Sequence, residues 1–380
     1  MKKSSIFSRL SDSLSLCWAN YKALDGRGKL SWWRSFLFRN SLYFAVIALV
    51  IFSQVYAAQH DFSKRFFSLS SIMEVVNRSA GALFPALGVG GIVILGGVDF
   101  SADRVIGLTS CVSVMLLQKP LEEYSSKMYP DLLPPPIILV ILNALMIGAV
   151  TGAINGFLIT KTKAHSSLVT LCTRLMIYGV SLWFFLRGVG GNPFPMGGYI
   201  DQYKNVIRGS VMIGKAAIPY YVFYAIAAAL IVWFVWNKTA LGRKMFAVGA
   251  NREAANAAGI SVAKTTIFVF MVGGILYGFS GFVDAMRFGG ADIALGEFAF
   301  VDAITACLIG GVSVSGGTGK IKGIVFGVIL LQIITVSINT LMLWGYDYIY
   351  IALRGVLLLI GLTTNRRRFS RQHPARLAAS

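Results

Sequence analysis

Long apolar stretches recur along the chain and are separated by short polar connections. Each stretch is close to the roughly 20 residues that a helix needs to cross the hydrocarbon of a bilayer. Lipid offers no partners to backbone N–H and C=O groups, so each stretch should be helical. The pattern predicts an all-α polytopic membrane protein with about ten transmembrane helices. We place the spans at about 41–58, 81–98, 104–118, 136–160, 167–186, 218–236, 265–286, 299–315, 323–343 and 345–364.

Composition agrees with a membrane protein and accounts for its basic charge. The 380 residues are 56% hydrophobic and only 13% charged, which lies outside the range of soluble domains. Lys and Arg concentrate at both termini and in the connections that the span order assigns to one side. By the positive-inside rule this side is cytoplasmic, and so are both termini. The formal net charge of +19 therefore needs no nucleic-acid partner.

Three segments follow from this layout: a basic cytoplasmic N-terminal segment 1–40, a transmembrane domain 41–364 and a basic cytoplasmic tail 365–380. The N-terminal segment combines basic residues with tryptophans and other apolar residues. This composition is typical of an amphipathic helix that lies on the cytoplasmic leaflet and contacts membrane lipid. A charged segment that only sets the topology explains the same composition equally well.

No side chains in the sequence form a catalytic, cofactor or metal motif. The four cysteines and three histidines are scattered without ligand spacing. GSVMIGKA, residues 209–216, has the two glycines and Lys215 of a phosphate loop. However, Ala216 replaces the hydroxyl residue that would hold Mg²⁺, no buried strand precedes it, and the span order places it outside. We therefore expect a non-catalytic chain without a cofactor, powered from elsewhere.

Ion coupling is one possible power source, because ionisable residues inside a membrane are functional candidates. Most candidates here fall within about a turn of a predicted span end, where long side chains reach the interface. Only Arg174, Asp302 and Arg354 lie deep. Structural pairing between helices is the simpler alternative.

A sequence similarity between two segments of the chain indicates a structural repeat. ILGGVDFSADRVIG at 94–107 and LIGGVSVSGGTGKIKG at 308–323 share the pattern GGVxxS, and both follow a span that runs inward. Duplicated units around a central path are common in transporters. Glycine pairs that let helices pack closely explain this similarity equally well. The resulting candidates for packing near the pathway are Gly96, Gly97, Asp99, Ser101, Gly310, Gly311, Ser315, Gly316 and Gly317.

The connection 237–264 is the largest one on the cytoplasmic side and contains the run NREAANAAGI. Asn251 can cap a short helix, Glu253 favours its N-terminal end, and the alanines that follow are strong helix formers. Gly259 can take the left-handed conformation that ends this helix. Two turns are unstable alone, and the alanines leave a slim surface. We predict a docking element for a separate motor, with Ala255 in close contact with it.

EAANAAG at 253–259 is similar to the EAA…G signature of permease subunits of bacterial ABC importers, whose cytoplasmic coupling helix fits into the ATP-binding subunit. WNKTALGRKMFAVGANREAANAAGI, GGVDFSADRVIG and GGVSVSGGTGKIKG occur in the order found in the ribose/galactose branch of sugar ABC permeases. The resemblance covers roughly residues 41–365. The segments DFSADRVIGL and FAVGANREAA are most similar to galactose/methyl-galactoside permeases. The chain departs from a common hydrophobic-Asp-Leu-Ser-Val-Gly pattern, because it reads VDFSAD.

The resemblance implies a subunit of an ATP-driven monosaccharide importer in the bacterial inner membrane. Its implied partners are an ATP-binding ABC subunit, an extracytoplasmic sugar-binding protein and a second permease copy. The implied substrate is galactose, a methyl galactoside or glucose, moved by alternating access. Ribose or xylose is the alternative substrate, and an ion-coupled secondary sugar transporter is the alternative mechanism. The implied ATPase-coupling residues are Asn251, Glu253, Ala254, Ala255 and Gly259.

Overall fold

The computed structural model describes residues 25, 32–33, 41–60, 66–120, 127–129, 131–185, 197–198, 201–341 and 346–372. The amphipathic helix predicted within 1–40 falls almost entirely outside these residues. The described residues form thirteen helices and one two-stranded hairpin. In chain order they are α1 (Ser41–Gln59), α2 (Leu69–Ile94), α3 (Ala102–Leu117), α4 (Ile137–Thr162), α5 (Ser166–Phe185), α6 (Asp201–Arg208), β1 (Ser210–Ile213), β2 (Ala216–Pro219), α7 (Tyr220–Lys238), α8 (Ala240–Ala250), α9 (Arg252–Ala257), α10 (Val262–Phe288), α11 (Ala299–Ile309), α12 (Ile321–Thr340) and α13 (Tyr346–Gln372).

Each predicted span overlaps one of these helices, so the helical membrane class is confirmed. By length and composition, α4, α5, α7, α10 and α12 are able to cross a membrane, and shorter apolar helices lie within α1, α11 and α13. The count of ten crossings stays a prediction. α13 continues to Gln372, so the first part of the predicted tail 365–380 is helical.

Two other helix ends differ from the predicted spans. α2 begins at Leu69 instead of near residue 81, because the Ser68 side chain caps its first turn by accepting a backbone N–H. α11 ends at Ile309 instead of near residue 315, because Gly311 adopts a left-handed backbone with φ +84°. Polar caps and glycine turns, rather than the limits of the apolar runs, thus set these ends.

α10 lies at the centre of the bundle. The most apolar stretches of α10 and α12 are each 67% buried, whereas those of α4, α5 and α7 are each 22% buried. α10 and α4 approach closely through glycines: a Cβ on Gly148 would collide with the Gly274 carbonyl, and one on Gly152 with the Phe270 carbonyl. Small residues permit such close packing between membrane helices.

GSVMIGKA folds as part of the hairpin. β1 and β2 pair antiparallel, with Ser210 opposite Pro219 and Ile213 opposite Ala216. Gly214 has φ +62° in the two-residue turn between them, and the residues of β1 are exposed. A phosphate loop instead joins a buried strand to a helix, so this stretch has the wrong local fold for one.

Candidate functional site

The short helix predicted in the connection 237–264 is present as α9. Asn251 ends α8 and caps α9, because its Oδ1 accepts the N–H of Ala254 at 3.0 Å. Gly259 has φ +78°, and the next N–H, of Ile260, donates to the Ala255 carbonyl at 3.0 Å. The predicted cap, helix and glycine stop are therefore confirmed.

The exposure of α9 differs from what the sequence suggested at one residue, Ala255. Ala255 is only 4% exposed and belongs to the hydrophobic core of this chain. Glu253, Ala254, Ala257 and Ala258 are exposed. The predicted contact of Ala255 with a partner stays a prediction, but in this structure α9 turns that side chain inward. The surface open to a partner is instead formed by the exposed alanines and Glu253.

The two GGVxxS segments end their helices with the same hydrogen bonds. After α2, Gly97 N–H donates to Ile92 C=O at 2.9 Å, and after α11, Val312 N–H donates to Cys307 C=O at 2.9 Å. The left-handed residue is Gly96 in the first copy and Gly311 in the second copy. The structural match is therefore displaced by one residue from the sequence match, which pairs Gly96 with Gly310.

The first turn, residues 95–101, is held by side chains of neighbouring helices. Ser166 Oγ on α5 accepts the N–H of Val98 at 2.9 Å, and Thr170 Oγ1 accepts the N–H of Phe100 at 3.0 Å. Gly97 packs beside the same Ser166 hydroxyl. Backbone groups that cannot continue the α2 helix thus obtain partners from α5.

A buried chain of polar groups fixes the end of the same turn. Asp99 Oδ1 accepts from the backbone N–H of Ser101 at 2.9 Å and from its hydroxyl at 2.6 Å. Asn155 Nδ2 on α4 donates to Ser101 Oγ at 2.8 Å. All three residues are at most 1% exposed. They therefore join helices, and no substrate reaches them in this conformation.

The second turn, residues 310–320, is held by a residue outside the sequence prediction. Asn365 Nδ2 donates to Val312 C=O at 2.6 Å, and its Oδ1 accepts the N–H of Val314 at 3.4 Å. Ser315 is exposed, unlike Ser101. Asn365 was missed because it lies in the polar segment assigned to the tail, where only the continuation of α13 brings it to the turn.

Three backbone segments meet beside α9. Gly317 N–H in the second turn donates to Ile94 C=O at the end of α2, at 2.8 Å. A Cβ on Gly249 of α8 would collide with the same carbonyl, and a Cβ on Gly316 would lie 3.0 Å from Gly96 N. These five residues are termed the glycine junction. It connects both turns directly to the helix that leads into α9.

The deep ionisable residues form ion pairs between helices. Arg174 on α5 contacts Asp103 on α3 at 2.8 Å. Arg354 on α13 contacts Asp302 on α11 at 3.0 Å. These pairs agree with the structural alternative, since each charge already has an opposite charge within the protein.

Known proteins match most of this chain. A family model described as branched-chain amino acid transport system / permease component matches residues 71–362. The galactose/methyl galactoside import permease of Escherichia coli (strain K12) is 34% identical over 309 residues, covering 81% of this chain and 89% of the relative.

Two relatives from Haemophilus influenzae extend the comparison. Its galactose/methyl galactoside import permease is 32% identical over 335 residues, covering 88% of this chain and 96% of the relative. Its ribose import permease is 27% identical over 302 residues, covering 79% of this chain and 86% of the relative. No solved structure matches the chain significantly.

The matched region 71–362 contains both turns, the glycine junction and α9. The relatives also match over most of their own length. The chain therefore belongs to the family of branched-chain amino acid transport system / permease components.

Proposed function

We propose that this chain is the membrane-spanning subunit of an ATP-driven importer for galactose or methyl galactosides. The observation that carries the proposal is its 34% identity, over 81% of the chain, to permeases named for import of these sugars. Ribose import permeases at 27% and 25% identity make ribose the second candidate substrate. The quoted sequence segments point to the same branch.

The chain is a non-catalytic permease, and a separate ATP-binding subunit hydrolyses ATP. An extracytoplasmic sugar-binding protein delivers the sugar to such a complex. A second permease copy gives each of two ATP-binding subunits one docking site. The positive-inside rule places α9 and both termini in the cytoplasm of a bacterial inner-membrane protein.

The exposed face of α9 supports a docking role. Ala254, Ala257 and Ala258 present small side chains that another protein can approach closely, while Asn251 and Gly259 hold the helix ends. α8 joins this face to the glycine junction, where glycine backbones of three segments touch. Closure of the ATP-binding subunits then moves α8 as a unit and displaces the ends of α2 and α11.

Paired arginine substitutions test this role. Ala254→Arg adds a bulky charge to the exposed face, so we expect ATP-driven uptake to be lost at unchanged permease abundance and thermal stability. Ala255→Arg buries a charge, so we expect lower abundance and stability instead. Normal uptake by the Ala254 variant would exclude its face from docking.

A labelling experiment tests the orientation. In a background without the native cysteines, Ser261→Cys beside α9 should react only with reagents that reach the cytoplasm. Asn205→Cys on α6 should react from the opposite side. Both residues are exposed, so labelling of both from one side would contradict the proposed topology.

Transport in proteoliposomes tests the function itself. The permease is reconstituted with an ATP-binding subunit and a sugar-binding protein from the same organism, and uptake of labelled galactose, ribose and leucine is measured. We expect galactose uptake that requires internal ATP and survives collapse of ion gradients. Uptake that persists without ATP but stops with the ion gradient would identify a secondary transporter. Uptake of leucine alone would replace the sugar assignment.

A further inference from the structure

A cavity of about 260 Å³ lies at the end of the bundle opposite α9. α10 defines this separation, because it begins at Val262, just after α9, and ends at Phe288, which lines the cavity. The remaining walls come from α2, the loop 289–298, α11, α12 and α13. Neither the motifs of the sequence nor the two turns contribute to this space.

The lining carries equal numbers of positive and negative side chains. Three guanidinium groups and three carboxylates contribute, from Arg78, Arg287, Arg354, Asp284, Glu297 and Asp302. Arg287 contacts Asp284 at 3.3 Å, and Arg354 contacts Asp302 at 3.0 Å. The side chains of these two pairs are 15–18% exposed. A ligand thus meets hydrogen-bond donors and acceptors in a space without net charge.

An amide that has no hydrogen-bond partner among the described residues also faces the cavity. Gln332 on α12 is 6% exposed and lines the cavity wall. Within the described part of the chain, its side chain makes no hydrogen bond. Nearly buried polar groups normally have partners. The two amide atoms of Gln332 are not among the buried side-chain atoms that lack a partner, so they are open to the cavity and can bond a ligand or water there.

One aromatic ring lines the same space, and a second lies against one of its arginines. Phe288 lines the cavity and remains 60% exposed. Phe298 holds a left-handed backbone with φ +69°, and its ring lies 4.9 Å below the Arg354 guanidinium. The loop between them contains Gly289 and Gly296, both with positive φ. Apolar ring faces beside a few directed polar groups are typical of small-molecule sites.

We propose that this cavity binds the transported monosaccharide inside the permease, an inference that rests on the proposed sugar-import function. Sugar hydroxyls donate to carboxylates and accept from guanidinium and amide groups. The balanced lining favours a neutral ligand over an ion. Its volume lies just below the roughly 300–1,000 Å³ of drug-sized sites, as a smaller hexose requires.

Protection from thiol labelling tests occupancy directly. Ala82→Cys and Ala299→Cys each place a thiol in the cavity lining, in the full importer without native cysteines. We expect a saturating concentration of galactose to slow their modification by a small neutral maleimide at least about 3-fold, and leucine to have no effect. Met212→Cys on the exposed hairpin is the control that no ligand should protect. Equal labelling with and without sugar at both cavity positions would overturn the proposal.

Removal of the Gln332 amide gives an independent measurement. Gln332→Leu should lower galactose uptake about 3- to 10-fold, as expected for one lost hydrogen bond. ATP hydrolysis stimulated by the loaded binding protein should continue. Ser337→Ala on the same helix changes a buried hydroxyl bonded to Ile333 C=O, away from the cavity, and should transport normally. Unchanged uptake by the Gln332 variant would contradict the assignment.

The wild-type importer separates two kinds of failure. If it moves galactose but neither cavity experiment responds, the sugar-import function stands and only the cavity assignment is wrong. If it moves neither galactose nor ribose, both the function and the cavity assignment are wrong.

Discussion

The turns after α2 and α11 begin with the same hydrogen bonds, yet they are fixed by different means. Side chains from α4 and α5 hold the first turn, through Ser166, Thr170 and Asn155. Among the described residues, one side chain, Asn365 on α13, bonds the second turn, and glycine backbone carries the contacts of this turn with α2 and α8.

This difference suits the two turns to different roles in transmitting motion. A turn bonded to two helices by several side chains moves with those helices. A turn that touches its neighbours through glycine backbone transmits any displacement of α8 without an intervening side chain that can change rotamer. The second turn is thus the better candidate for receiving motion from α9, and the first turn for passing it to α4 and α5.

The largest expected effect comes from filling the glycine junction. Gly316→Ala adds left-handed strain of roughly 1–2 kcal/mol and a Cβ 2.7 Å from Gly249 O. Overpacking adds about 1–3 kcal/mol. We expect a clear fall in thermal stability and loss of ATP-driven uptake, measured in purified and reconstituted permease.

Gly96→Ala is the matched control for this change. Gly96 has φ +81°, against +80° for Gly316, but its Cβ would meet nothing within 4 Å. Gly96→Ala should therefore lower the free energy of unfolding by the backbone strain alone, roughly 1–2 kcal/mol, and should largely retain uptake. Equal effects of the two substitutions would show that the close contacts of Gly316 contribute nothing.

A smaller effect is expected at Asn365. Asn365→Ala leaves the buried Val312 carbonyl without its amide donor, which costs about 1–3 kcal/mol. We expect faster hydrogen exchange across residues 313–318 and unchanged exchange across residues 97–101. Thr363→Val, two residues earlier on α13, removes an exposed hydroxyl bonded to Ile360 C=O and should change neither region. Equal acceleration of both turns by the Asn365 variant would mean that they are not held separately.

Local signals made part of this architecture predictable. The lengths of the apolar stretches predicted where the helices lie. The order of Asn251, the alanines and Gly259 predicted the caps of α9, because capping depends on neighbouring residues alone. The repeated GGV segments also predicted two similar helix ends. Such features require no knowledge of which helices are neighbours.

Tertiary contacts decided the rest. The inward direction of Ala255 depends on how α9 lies against the bundle, and an alanine run has no periodic polar face to reveal it. Asn365 lies more than forty residues beyond the turn that it holds. The cavity collects charged residues from four helices and a loop, and their separation along the chain gives no sign that they share one space.

The smallest expected effect is at Ser101, where the first turn has additional support. Ser101→Ala removes the hydroxyl that donates to Asp99 and accepts from Asn155. Asp99 keeps the backbone N–H of residue 101, and Ser166 and Thr170 still bind the turn. Asn155 Nδ2 loses its acceptor as well, so we expect the free energy of unfolding to fall by an amount near the lower end of about 1–3 kcal/mol, with hydrogen exchange across 97–101 raised less than Asn365→Ala raises exchange across 313–318. If Ser101→Ala loosens its turn more than Asn365→Ala loosens the other, the buried polar chain is the main support of the first turn, and the contacts from α5 are secondary.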